Sequence, residues 1–495
     1  MSPTPTPDSH LPPQQESCLA KFLQTTLVIF LIIGAMIWFN PTRITPTAYD
    51  PPRMPAVNVS YDLDLAESVF RALRRLKGPE SIAIHPTNGF LYSGTQDGKL
   101  VRATLEKPFS SFPEALGMIG DPNAALPLPC GTYTTEPICG RPLGMKMVTL
   151  NKADPKSTNL FFADAYLGIA QYNTARHELT MLVKPSFTTV DGVKFVKPFF
   201  NDVEYDHVDN VLFFTISSTK FGLNDLVFDL LDLGQNGLLC KVDLSSGDIS
   251  IVTKNIGFAN GLVIHPTERT LFVSESTRFR ILRIDIDSKK KSSYGKSTIF
   301  ADNIPLFPDN LAIIGDDELW TAGVNLRVSD ITNNVNKSEF PSFFGFSPLD
   351  FLAKYPKLRL LISKAIPPQY TSLFSSYETG GIVRFDLNTG KVINLITASK
   401  SHKNSSLQGI GRSIASITPH MNPAGLPENQ IHVYLGGFTP GTHAIGRITW
   451  DLKNKKVLPS TDPRSNDSVR AQYRKQYDGV DGEEQMKEYI STVGM

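Results

Sequence analysis

Short apolar runs bounded by Gly, Pro, Asn and Asp recur along most of the chain, the pattern of strands joined by tight turns. One run repeats closely. Ser81-Ile-Ala-Ile-His-Pro-Thr-Asn-Gly-Phe-Leu-Tyr-Ser-Gly94 matches Gly261-Leu-Val-Ile-His-Pro-Thr-Glu-Arg-Thr-Leu-Phe-Val-Ser274 in its strand, its His-Pro-Thr turn and its second strand. Weaker copies run from Gly144 to Ala163, Asp202 to Thr215, Asn310 to Ala322 and Arg412 to Gly436, making six. Most copies are followed by two more strand-like runs, such as Arg280–Ile286 then Ser297–Phe300, or Gly381–Asp386 then Lys391–Ile396. Four strands per unit at roughly 40–60-residue spacing predict an all-β, six-bladed propeller over residues 79–460. One unit cannot bury both faces of its sheet, whereas a closed ring can. A β-sandwich array is the alternative, and the near-uniform four-strand unit disfavours it.

Two stretches change period from two to 3.6. Phe221–Gln235 carries Leu223, Leu226, Val227, Leu230 and Leu231 on one helical face. Ser347–Ala365 opens with Ser347 at an N-cap position, Pro348 at N1 and Asp350 at N3, and Pro356 restarts a second helix. These short helical insertions either pack on the ring or act as a lid or interfacial helix.

Leu23 to Phe39 is a 17-residue run without charge, enough to cross a bilayer at the short end of the roughly 17–25-residue range. Trp38 and Phe39 suit the interface, and Asn40-Pro41 ends the helix. The expected order is a short cytosolic tail (1–21), a transmembrane signal-anchor (22–40), a linker and propeller entry (41–78), the propeller, and a polar C-terminal tail (461–495). A cleaved signal peptide competes with the anchor reading; the long Pro-rich lead and the lack of an Ala-x-Ala exit oppose it.

Flanking charge does not orient the anchor, since Lys21 lies on one side and Arg43 and Arg53 on the other. Four Asn-x-Ser sequons, at Asn58, Asn336, Asn404 and Asn466, all follow the apolar run, favouring glycosylation of a lumenal or extracellular body. Cys130 and Cys139 stand in the turn-rich stretch Pro-Cys-Gly-Thr-Tyr-Thr-Thr-Glu-Pro-Ile-Cys-Gly, which predicts a disulfide loop in an oxidising compartment. The expectation is a single-pass type II membrane protein. Forty-nine Lys+Arg against 48 Asp+Glu give a net charge of +1, which speaks against a nucleic-acid partner.

The starts of the innermost strands are unusually polar. Glu80, Asn201, Asn260, Asp309 and Asn310 stand there, and inner-strand starts converge on a propeller axis. These groups offer oxygen and no sulfur, the donor set of a hard cation such as Ca²⁺. Taken singly, Asn or Asp before a strand is ordinary turn chemistry.

Five segments together resemble the strictosidine synthase-like family, in its animal branch. They are Phe258-Ala-Asn-Gly-Leu262, Phe200-Asn-Asp-Val203, Phe307-Pro-Asp-Asn-Leu311, Cys139-Gly-Arg-Pro-Leu-Gly144 and Leu160-Phe-Phe-Ala-Asp-Ala-Tyr166. The resemblance covers about Pro79 to about Leu452, and the single N-terminal anchor. It implies a six-bladed propeller and kinship with paraoxonases and gluconolactonases, calcium-dependent hydrolases of esters and lactones. The metal ligands of those relatives fall on Glu80, Asn201, Asn260 and Asp309, with Asn310 beside them. Two departures count. Where the plant synthases carry a catalytic Glu, Ser413–Ile417 has Ala415, so strictosidine synthesis is not expected. Where paraoxonases carry a His, Arg141-Pro-Leu-Gly144 has none.

The expected function is therefore a membrane-anchored, calcium-dependent hydrolase of arylester or lactone type, with the metal as Lewis acid. Its partner would be a small-molecule ester or lactone. Asp202 and Asp309 are the candidate bases for an attacking water. The alternative is a non-enzymatic binding or scaffold propeller in which the metal is structural.

Overall fold

The computed structural model describes residues 39–52, 56–71, 76–105, 114–125, 128–185, 189–327, 348–365, 380–398, 414–421, 425–438 and 444–459, with scattered residues between 24 and 35 and residue 423. The tail 461–495, the lead 1–21, most of the apolar run and the sequons at Asn336, Asn404 and Asn466 lie outside them. Among the described residues no helix is long and apolar enough to cross a membrane.

The body is all-β. Ile82–Met118, Pro142–Val183, Phe199–Ile256 and Ala259–Ala301 each form a four-stranded antiparallel sheet in chain order. A ten-stranded sheet holds two further units of the same kind, Leu311–Thr397 and Ile414–Leu458, joined by the single bridge Gly323–Ile414. The first strand of each unit packs on the first strand of the next, and Ile414–His420 packs back on Ile82–Ile84. Antiparallel sheets so arranged are consistent with a propeller. The predicted strand pairs coincide with the first two strands of each unit.

The repeated His-Pro-Thr turn is structural. His85 Nδ1 accepts from the N–H groups of Thr87 and Asn88, both at 3.3 Å. His265 Nδ1 does the same with Thr267 and Glu268 at 3.3 and 3.1 Å. The imidazole thus satisfies two turn donors that strand pairing cannot reach.

Residues 41–78 do more than link. Val59–Ser60 adds in parallel to the outer strand Val392–Thr397. Glu67–Arg71 pairs with Ala444–Asp451 and closes the last unit, with Arg447 and Glu67 in a buried ion pair. Both additions cover strand edges that would otherwise be open.

Besides the single helical turn Glu136–Cys139, three helices complete the described body. We call them α1 (Leu226–Asp232), α2 (Pro348–Ala353) and α3 (Pro356–Ala365). They fall within the two predicted insertions; α1 is shorter than the apolar spacing suggested, because Leu223–Asp225 winds as a tighter 3-10 turn before it, and Leu233 in a left-handed conformation ends it.

Between the last two units, Trp320 and Trp450 meet edge to face at 4.7 Å between centroids. Arg384 stacks on Trp450 at 4.4 Å and forks onto Glu318 through bonds of 2.9 and 2.7 Å. Truncating Arg384 strands a buried carboxylate with Trp320 Nε1 and the more distant Lys455, at 3.5 Å. Arg384→Ala is therefore expected to cost about 3 kcal/mol in chemical denaturation, and Arg384→Leu with Glu318→Leu to recover most of it.

Candidate functional site

The site is built from register faults. In the strand Phe199–Asp206, Phe200 faces Ile216 and Val203 faces Phe214, so Asn201 and Asp202 together oppose one residue. The same fault recurs at Asn260 and Gly261, between the pairs Ala259–Glu275 and Leu262–Val273. It recurs at Leu143 and Gly144, between Pro142–Asp164 and Met145–Phe162. Asp309 and Asn310 share a partner too: Asp309 N–H donates to Ala322 O at 2.8 Å and Ala322 N–H donates to Asn310 O at 3.1 Å. A β-bulge of this kind frees one residue from the ladder and re-aims its side chain.

Neighbouring units lock these segments in place. Ser217 Oγ donates to Ala259 O, Ser274 Oγ to Asp309 O at 2.6 Å, and Ser416 Oγ to Glu80 O at 2.5 Å. Glycine makes the close approach possible. A Cβ on Gly144 would lie 2.0 Å from Asp202 Oδ1, and one on Gly261 would lie 2.3 Å from Asn310 Cα.

Glu80, Asn201, Asn260 and Asn310 are all buried. Each keeps one side-chain oxygen without a hydrogen-bond partner: Glu80 Oε2, Asn201 Oδ1, Asn260 Oδ1 and Asn310 Oδ1. Leaving such an oxygen buried and unmet costs about 1–3 kcal/mol, and four in one region is a systematic feature of the fold. Asp309 lies among them and keeps part of its surface open. Burial first, and then the charge of Asp309, push the Glu80 carboxyl well above its usual range; Arg141 and the Asn310 amide pull it back. Burial and then Asp202 push Asp309 up as well, against the Asn260 amide and the Asn310 N–H. Two crowded carboxylates and three unpartnered amide oxygens fit a hard cation. Among the described residues no group of three or more His, Cys, Asp or Glu could hold a metal, so an ion here would depend on the asparagine amides.

The two named candidates for a base differ. Asp202 Oδ1 accepts from Val203 N–H at 2.8 Å and Oδ2 from Leu262 N–H at 3.0 Å. Burial raises it to about 7 while these two bonds oppose the rise. It ties one unit to the next, and both its oxygens are engaged. Asp309 is the more open group.

Two positions of the ring are apolar. Leu143 stands at the bulge of its unit, packed with Phe199 and Phe258, and Ala415 is buried with its carbonyl accepting from Asn310 N–H at 3.1 Å. Sequence reasoning noted that no His stands at 141–144 but missed Arg141. This guanidinium is 2% exposed. It donates to Phe438 O at 2.8 Å, stacks on the Phe438 ring at 5.2 Å, and leaves Nη1 without a partner. A charged residue inside the otherwise uncharged run Ile-Cys-Gly-Arg-Pro-Leu-Gly was the available signal. The predicted disulfide is present: Cys130 and Cys139 are bonded, with Cα atoms 5.8 Å apart. It pins the turn that delivers Arg141, helped by Gly120 N–H on Cys139 O at 2.9 Å.

The family described as SMP-30/gluconolactonase/LRE-like region matches residues 147–338, and the one described as strictosidine synthase-like, N-terminal, matches 63–103. Adipocyte plasma membrane-associated protein of Salmo salar is 29% identical over 76% of this chain and 82% of its own length. The Homo sapiens protein of that name is 28% identical over 73% and 79%. Among solved structures, the calcium-binding protein regucalcin of Agrobacterium tumefaciens is 11% identical, covering 82% of this chain and 99% of its own, with a TM-score of 0.45, too distant to bear on the site. Protein STRICTOSIDINE SYNTHASE-LIKE 10 of Arabidopsis thaliana is 30% identical over 60% of this chain and 74% of its own length. With this last relative covered over most of its length, the chain belongs to the strictosidine synthase-like family.

Proposed function

We propose that the chain is a six-bladed propeller, held to a membrane by its N-terminal apolar run, that hydrolyses lactones or aryl esters with a calcium ion on its axis. The observation that carries the reading is the set of four buried, unpartnered oxygens on Glu80, Asn201, Asn260 and Asn310. The gluconolactonase-like match over 147–338 supports the substrate class.

Glu80, Asn201, Asn260, Asp309 and Asn310 would hold the ion, which when bound supplies a Lewis acid for the substrate carbonyl. The chain's own residues do the rest. Asp309 is the candidate general base, because it is the most open carboxylate of the group and is held above the ordinary Asp range. Asp202 fixes the backbone between Asn201 and Leu262. Arg141 balances Glu80 from the second unit. Ala415 in place of an acid argues against strictosidine synthesis.

A second reading keeps the ion and drops the chemistry. Leu143 and Ala415 leave two of the six inner strands without a polar group at the axis, which favours a binding or scaffold propeller stapled by its metal.

Membrane attachment draws on the names of the animal relatives and on the run itself, of which Leu27, Val28, Leu31 and Phe39 are exposed. The Cys130–Cys139 bond and exposed Asn58 suit a lumenal or extracellular body, in the endoplasmic reticulum, secretory pathway or plasma membrane.

Detergent-solubilised full-length protein is expected to hydrolyse phenyl acetate and a lactone with calcium and to lose turnover in chelator. Asn260→Ala and Asp309→Ala should each lower kcat/KM at least about a hundredfold. Turnover that persists unchanged in both variants would sink the metal-hydrolase reading. Calcium should also raise the melting temperature of the parent more than that of either variant. A calcium shift with no turnover would select the scaffold reading. In secretory cells, a glycosidase should shift the parent on a gel, and Asn58→Gln, Asn336→Gln, Asn404→Gln and Asn466→Gln combined should abolish the shift. A parent unmodified in those cells would count against a lumenal body.

A further inference from the structure

Helix α3 is apolar on both sides. Arg359 and Ser363 are buried against the body, and Leu360 and Ile362 pack with Ile44, Phe228 and Leu231. At 100° per residue, Leu358, Leu361 and Ala365 fall on the other side, flanked by Lys357 and Lys364. Leu358 is 36% and Leu361 49% exposed. Just before them Phe351 and Tyr355 are also exposed, their rings 4.8 Å apart. Exposed aromatic and leucine side chains bordered by lysine are the composition of a surface that lies in a lipid headgroup layer, where lysine stems reach along the apolar zone to anionic phosphate.

The chain itself says what faces this surface. Asn40, the first residue after the apolar run, donates from Nδ2 to Lys364 O at 2.8 Å, at the C-terminal end of α3. The following stretch is woven into the helices. Thr47 N–H donates to Asp232 O at 3.1 Å and Tyr49 N–H to Ala353 O at 3.2 Å. Arg359 bridges Leu231 O at 2.5 Å and Thr47 O. The point where the chain would leave a bilayer is thus fastened to the helix that carries the exposed leucines.

We infer that α2 and α3 lie in the headgroup layer of the membrane that holds the N-terminal run, with Phe351, Tyr355, Leu358 and Leu361 turned into the lipid. The inference rests on the anchor reading above. It orients the molecule. A small apolar cavity lined by Tyr49, Leu231, Phe279, Phe307, Leu352 and Arg359 joins these helices to the Phe307–Asp309 segment. That side faces the bilayer, and the turn at Val208, at the far end of the strand from Asn201, faces away.

The test uses full-length chain in phosphatidylcholine–phosphatidylserine vesicles carrying brominated acyl chains, which quench nearby indoles. Leu361→Trp adds a reporter on the exposed face, and Val208→Trp adds one at the far end. Both positions are exposed, so neither change disturbs the core. With protein floating on the vesicles, the added emission of Leu361→Trp should fall by about half or more, as for a side chain at interfacial depth, and that of Val208→Trp should not change. If the chain floats and native Trp38 is quenched but Leu361→Trp emits as in water, the docking is overturned and the anchor stands. Blue-shifted emission from Leu361→Trp without bromine quenching means that protein covers the face, a second copy included, and also overturns it. A chain that does not float overturns the anchor reading and the docking with it.

Discussion

The heads of the inner strands carry one residue more than their partners can pair, and the site depends on that surplus. At Asn201, Asn260 and Asp309 the bulge takes a short polar side chain out of the alternation in which one face packs and the other faces a neighbouring sheet. The fold could have satisfied these oxygens with a serine hydroxyl or a backbone N–H, as it does for Ala259 O and Asp309 O through Ser217 and Ser274. It spends its nearby donors on the backbone and leaves the side-chain oxygens bare. An arrangement held against its own hydrogen-bonding preference has to be rigid, and the glycines at 144 and 261 provide that rigidity by bringing adjacent units to a distance at which no side chain fits.

Charge follows from the same geometry. The charge of Asp309 raises the Glu80 carboxyl, which burial already keeps from water. Arg141 offsets the charge of Glu80 only in part, since burial also works against its own charge. It reaches this position because the Cys130–Cys139 bond tightens the turn before it. The disulfide therefore bears on the electrostatics of the centre from the unit whose bulge carries the apolar Leu143.

Much of this was legible in the residues and some was not. The strand pairs could be read because the copies share a turn with a mechanism, the imidazole of His85 and His265 capping two amides. The oxygen set could be read because Asn and Asp recur at one register. The bulges were invisible, since a surplus residue exists only relative to a partner strand. Arg141 is a lone guanidinium in a turn, and only the folded chain shows it buried against Phe438. The role of residues 44–52 was also hidden. Ile44 and Thr47 look like linker, and their partners lie on α1 and α3, near 230 and 360 in sequence. No periodicity reports an irregular segment held by Asp232 and Arg359.

The strand Glu67–Arg71 pairs with Ala444–Asp451, and the ion pair that fastens it joins residues 380 positions apart. During synthesis the early strand emerges long before its mate exists. At about 5–20 residues per second its edge waits on the order of half a minute, hydrogen-bonding groups exposed, while the four central sheets can already assemble. The last unit cannot be finished by any truncated product ending before residue 444. The seam is therefore the last part of the body to close: a chain cut short keeps that edge open, and a complete one covers it.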